Sequence, residues 1–107
     1  MPMNPRHGEV WLADLGMAAK TRPVVVMMAN DLDAPRTLII YVPITRQSRG
    51  SALEIPLGHL PFLDANSVAN FQAIGALPGV RFETRLGIVT DADLIAIKRA
   101  LAKACAL

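Results

Sequence analysis

Arg22 stands at the head of one apolar run, and Thr45, Arg46, Gln47, Ser48 and Arg49 stand at the tail of the next. A guanidinium that is always charged, set beside a hydroxyl, is a poor site for carboxyl or glycosyl chemistry. It suits a phosphodiester, where the developing charge sits on phosphoryl oxygens. If that ester belongs to RNA, the nucleophile arrives with the substrate. The 2′-hydroxyl has only to be held in line and the crowded phosphorane stabilised, so neither a metal nor a protein nucleophile is required. General acid–base help contributes roughly 10²–10⁴-fold, and no histidine is well placed to give it, so a modest rate is expected. On residue type alone another reading stays open, in which Arg22 caps a strand and Thr45 closes a turn.

Other chemistries find less support. His7 and His59 lie far apart with no HxxxH or CxxC spacing, and the acids are scattered, so no metal motif and no cofactor are expected. Gly75, Gly79 and Gly87 do not follow a strand and open a helix as a phosphate-binding loop requires. Ser48 to Ser51, SRGS, is not a nucleophile elbow. The lone Cys105 has no partner for an intramolecular disulfide and is expected to be a small core filler.

The elements that must position Arg22 and Thr45 are legible in outline. EVWLADL at 9–15 places Val10 and Leu12 on one face and Trp11, Ala13 and Leu15 on the other, which predicts a strand closed by Gly16. Arg22 to Ala29 is apolar on both faces and rich in valine, as a central strand is. NDLDAPR at 30–36 is a turn. Thr37 to Thr45 is a third strand, and Pro43, which cannot donate to a ladder, predicts an edge or bulge and a bend. Antiparallel pairing of the second and third strands then brings Arg22 beside Thr45 through Gln47.

Ser51 to Leu57 alternates and predicts a fourth strand, Ser67 to Leu77 two short ones, and Arg85 to Val89 a last one. Thr90 and Asp93 have capping-box spacing ahead of a helix from Asp91, with Leu94, Ile97, Leu101 and Ala104 on its apolar stripe. Five or six short strands and one helix, without βαβ alternation, predict a mainly β (α+β) fold: a small antiparallel barrel with a C-terminal helix.

A chain of 107 residues is expected to form a single domain, 1–107, burying roughly 60–70% of its unfolded surface. Hydrophobic residues make up 52% against 19% charged, which excludes disorder and predicts that a second copy or a partner covers some apolar surface. The apolar runs Pro23 to Ala29 and Leu38 to Ile44 fall far short of the roughly 20 residues that cross a bilayer. With no apolar stretch behind Arg6 to form a signal peptide, a cytoplasmic location is expected. The formal charge is only +2, yet Lys20, Arg22, Arg36, Arg46 and Arg49 cluster between positions 20 and 49 against two acids, Asp31 and Asp33. Arginine forks match phosphate oxygens, so the cluster either binds nucleic acid or is a solvated rim.

GEVWLADL at 8–15, TRPVVVM at 21–27 and VPITRQ at 42–47 resemble, in order and spacing, the three N-terminal blocks of MazF/PemK toxins. SVANFQAI at 67–74 and RLGIVTDADLIAIKRAL at 85–101 are similar to their later blocks, so the resemblance covers most of the chain. It implies an SH3-like barrel of the CcdB/MazF/PemK kind that dimerises, with RNA along the dimer groove. The family's catalytic arginine falls on Arg22, in acid–base and charge-stabilising roles, and its catalytic threonine, which holds the phosphate, falls on Thr45.

The implied activity is that of a type II toxin–antitoxin endoribonuclease, cutting single-stranded RNA without metal to leave a 2′,3′-cyclic phosphate and a 5′-hydroxyl. Lys20, Thr21, Arg46, Gln47, Ser48, Arg49 and Gln72 are the expected RNA-binding residues. The implied partners are a cognate antitoxin whose acidic tail covers the groove and, through that antitoxin alone, operator DNA. Two features depart from the family: the loop GMAAKT at 16–21 is short, which leaves the site open, and Gln72 and Ala73 replace an acidic pair. A non-catalytic CcdB-like toxin that binds nucleic acid or a protein is the alternative.

Overall fold

The computed structural model describes residues 4–16 and 21–107. In chain order the elements are β1 (Glu9–Asp14), β2 (Thr21–Val26), β3 (Leu38–Thr45), β4 (Glu54–Pro56), β5 (Val68–Asn70), a 3-10 turn (Phe71–Ala73), β6 (Gly75–Pro78), a second 3-10 turn (Gly79–Arg81), β7 (Phe82–Ile88) and α1 (Asp91–Ala104). The antiparallel sheet runs β4-β5-β3-β2-β1-β7, with β6 also beside β3. This is the expected mainly β, barrel-like fold with a C-terminal helix. Among the described residues it has seven strands rather than five or six, and it does not close, because β4 and β7 remain its two ends. Among the described residues no helix is long and apolar enough to cross a membrane.

The valine-rich strand is central because both of its faces are covered. Val24, Val25 and Val26 are all fully buried. Val25 joins Val10, Val42, Ile44, Leu57, Phe71 and Ile97 in one core, while Val24 and Val26 join Trp11, Ala13 and Phe82 in another. Each such side chain contributes about 1.5–3 kcal/mol before the entropy cost of ordering it. The Trp11 indole donates to Glu9 Oε1 at 3.1 Å, which satisfies its one polar atom.

Pro43 corrects an expectation. It lies on an interior strand, buried, opposite Val24 of β2. The ladder on its other side is what breaks. There β5 pairs with Ile44 and Thr45, and β6 pairs with Leu38 through Tyr41, so residues 68–78 form one long partner interrupted opposite Val42 and Pro43. Phe71–Ala73 fills the interruption as a 3-10 turn, with Asn70 accepting from the Gln72 amide. A proline offers no N–H to a ladder, and the partner strand leaves at that point. The fourth strand is shorter than Ser51 to Leu57 because the amides of Arg49 and Ser51 donate to the Glu54 carboxylate instead of to a neighbouring strand.

Helix α1 begins as its sequence dictates. The Asp93 amide donates to Thr90 Oγ1 at 3.0 Å and the Thr90 amide to Asp93 Oδ2 at 3.2 Å. Ile97 is buried, with Leu94 and Leu101 packed against the same core. By its last turn the helix has run past that core: Ala104 is exposed, and Cys105, expected as a core filler, is exposed at the C-cap.

Candidate functional site

The end of β3 separates two clefts, and successive residues open into different ones. Arg46 lines a cleft of about 630 Å³ with Leu12, Thr21, Arg22, Pro23, Ile44 and Leu86 of the sheet and with Pro61 to Asp64 and Ser67 of the segment after β4. Thr45 lines a smaller one of about 270 Å³ with Gln47, Arg49, Ser51, Glu54, Asn70 and Gln72.

Strands β2 and β3 pair antiparallel, as the sequence predicts. Their register ends at Val24↔Pro43; continued two residues further, it sets Arg22 against Thr45. Beyond Pro43, however, β3 also pairs with β5, and the two side chains line separate clefts. Arg22 and Thr45 therefore stand at adjacent strand ends, on either side of a short ridge. Thr45 is half-buried, and its hydroxyl accepts from the Gln47 amide at 3.1 Å. Arg22 is exposed.

The expected RNA-binding residues divide between the clefts. Thr21 and Arg46 fall on the larger, Gln47, Arg49 and Gln72 on the smaller. Ser48 reaches Glu54 Oε1 at 3.2 Å from the loop beside the smaller cleft. Lys20 and most of the short loop before Arg22 lie outside the described residues. Arg36 leaves the cluster altogether: it lines a hollow with Asn30 and Asp31 at the turn joining β2 to β3, the far end of that hairpin.

Two carboxylates belong to this region, and the sequence reading assigned them no part. Asp64 accepts from Arg46 across the mouth of the larger cleft at 3.0 Å. Both side chains are well exposed, so the pair is worth little as a stabilising contact. Glu54 gathers the amides of Ser51 and Arg49 and the Ser48 hydroxyl, and those backbone bonds, Ser51 first, hold its carboxyl below the usual carboxylate range. It stays ionised and pins the 48–51 loop, which presents Arg49. Its place in an alternating run, SALEIPL, gave no signal beyond a strand. Asn70 was missed too, because its position depends on the break opposite Pro43. Neither His7 nor His59 lines either cleft.

Comparison with known proteins identifies the family and the fold. The model of the PemK-like, MazF-like toxins of type II toxin–antitoxin systems matches residues 6–105. An endoribonuclease from mycobacterial species, solved in complex with its cognate antitoxin, superimposes with a TM-score of 0.84 at 26% identity, over 97% of each chain. The toxin MazF-mt6 of Mycobacterium tuberculosis gives 0.81 at 24%, over 92% of this chain and 97% of its own. MazF of Deinococcus radiodurans gives 0.80 at 20%, over 98% of this chain and 99% of its own. The last two likenesses establish the fold alone. The match over residues 6–105 does more, and the chain belongs to the PemK-like, MazF-like family of type II toxin–antitoxin toxins.

Proposed function

We propose that this toxin is a metal-independent endoribonuclease that cuts single-stranded RNA between the two clefts. The observation that carries the reading is the placement of Arg22 and Thr45 at adjacent strand ends, with Arg46 and Arg49 flanking them. The scissile phosphate sits over the ridge. Arg22 stabilises charge on its non-bridging oxygens, the Thr45 hydroxyl fixes its orientation, and the neighbouring 2′-hydroxyl attacks in line. The attacking hydroxyl gives up its proton as the bond from phosphorus to the 5′-oxygen breaks, and that oxygen takes up a proton from the site or solvent. The products are a 2′,3′-cyclic phosphate and a 5′-hydroxyl. Arg46 and Arg49, with Thr21, Gln47, Ser48, Gln72 and the neighbouring Lys20, hold the flanking backbone.

The protein acts as a homodimer. Leu38 and Ile40 of β3 pair with Pro78 and Ala76 of β6, and these four side chains, with Ile74, leave one exposed apolar face that a second copy would cover. A cognate antitoxin inhibits it by covering the basic clefts with an acidic segment; a mycobacterial relative was solved in complex with its own cognate antitoxin. The test is incubation of purified protein with mixed single-stranded RNA in EDTA, alongside Arg22→Ala, with end-group analysis. Cleavage that survives chelation, leaves cyclic phosphate ends and disappears in the variant is expected. Intact RNA with a persistent gel shift refutes catalysis and leaves the CcdB-like binding reading.

A further inference from the structure

The larger cleft has a feature that phosphate binding does not require. Its lining includes the apolar side chains of Leu12, Pro23, Ile44 and Leu86, and Phe62 forms part of its wall. Two glycines build that wall. A Cβ at Gly58 would lie 1.9 Å from the carbonyl oxygen of Ala65, so the neck of the 58–65 loop closes only on a glycine. A Cβ at Gly87 would lie 2.4 Å from Cε2 of Phe62, so the ring rests directly on the β7 backbone. The half-buried ring is thereby fixed in a cleft whose rim carries Arg22 and Arg46.

We propose that this cleft is a nucleobase subsite, in which one unpaired base of the RNA stacks on Phe62 while its flanking phosphates meet Arg22 and Arg46. The proposal rests on the ribonuclease reading and names how the same site selects its substrate. Stacking on an aromatic ring accepts any base face, and cationic groups at the rim track the backbone. The charged lining, Arg22 and Arg46 with Asp64, leaves the apolar stretch beside Phe62 for an uncharged ring.

Fluorescence anisotropy with a short 2′-O-methyl RNA of mixed sequence measures binding alone, since this probe lacks the nucleophile. A matched oligomer of abasic sites supplies the comparison. The wild-type protein should prefer the base-bearing oligomer by about 5- to 150-fold. Phe62→Leu, which keeps most of the apolar volume, should lose that preference, and Phe62→Trp should keep it. Arg46→Ala should weaken both oligomers alike. Gly87→Ala displaces only the edge of a side chain and provides a second variant should Phe62→Leu fail to fold, with thermal melting as the control.

Equal discrimination by wild type and Phe62→Leu overturns the subsite. So does displacement of neither oligomer's signal by Phe62 changes together with binding of an acidic, Leu- and Phe-bearing peptide that depends on Phe62. Cleavage of unmodified RNA in EDTA, run in parallel, separates the two ideas. A protein that cuts without base preference loses only the subsite, and one that shows the preference without cutting loses only the ribonuclease reading.

Discussion

Asp93 is where the helix, the cleft-wall loop and solution pH meet, and its replacement gives the most quantitative test of the structure. One oxygen accepts the Thr90 amide, and the carboxylate takes His59 Nε2 at 2.9 Å to Oδ1 and 3.0 Å to Oδ2. Burial works to raise its pKa, but hydrogen bonds from His59 and from the Thr90 side chain and backbone outweigh that and hold it below the ordinary Asp value. Asp93→Ala removes half of the capping box, about 1 kcal/mol. It also removes a negative charge from the first helical turn, about 0.3–1 kcal/mol. The His59 contact adds little, because that side chain is 53% exposed.

A total of about 1.3–2 kcal/mol lowers the melting temperature by roughly 5–15 °C for a chain of this size. Asp93→Asn keeps the shape and removes the charge, and it adds the pH signature. A lowered carboxylate pKa contributes stability that is fully present above the unfolded value of about 3.9 and is lost as pH falls through the folded one. The gap between wild type and Asp93→Asn should therefore hold at neutral pH and close as pH drops below about 4. Melting curves at one fixed protein concentration, followed by circular dichroism, read both effects. A gap that stays constant down to pH ~2.5, or an alanine variant that melts with the wild type, refutes the reasoning.

Removing the Thr45 hydroxyl with Thr45→Val should slow RNA cleavage by about 10- to 150-fold, the worth of a hydrogen bond to a charged group; a rate within twofold of wild type in single-turnover assays would count against a phosphate contact. Binding of non-cleavable RNA should weaken with salt, and Arg46→Ala or Arg49→Ala should each reduce the slope of log K against log salt by about 0.7, so an unchanged slope removes that residue from the interface. Glu54→Gln should loosen the 48–51 loop, detected as faster tryptic cleavage after Arg49; equal cleavage rates would show that Glu54 does not pin it. Gly58→Ala should cost about 3 kcal/mol, since backbone lies on both sides of the clash, and a wild-type melting temperature would refute the tight neck.

What could be read from the residues follows the range over which each feature is decided. Thr90 and Asp93 set a helix start through bonds three residues apart, and the all-apolar Val24 to Val26 marks a central strand without reference to anything else. Pro43 predicts an edge or bulge, whereas it lies inside the sheet and the break falls in the partner strand, a segment some thirty residues on, and with it went the placement of Asn70 and Gln72. Arg36 joined the basic cluster on proximity in sequence, and a hairpin sends such neighbours to opposite ends. Phe62 carried no signal because its role depends on Gly87 and on the Gly58 to Ala65 neck, contacts that no local pattern encodes.

The interrupted pairing of β3 also bears on synthesis. Along one side this strand takes its hydrogen bonds from residues 68–78, which leave the ribosome well after Arg22 and Thr45 do. Until those residues emerge, β3 is an apolar edge with β2 as its sheet neighbour, and neither the Asn70 and Gln72 side of the smaller cleft nor the Leu86 side of the larger one exists. Both clefts become complete only as the last third of the chain arrives. An abortive fragment ending before Ser67 would thus carry both proposed catalytic side chains and still be harmless to the cell that makes it.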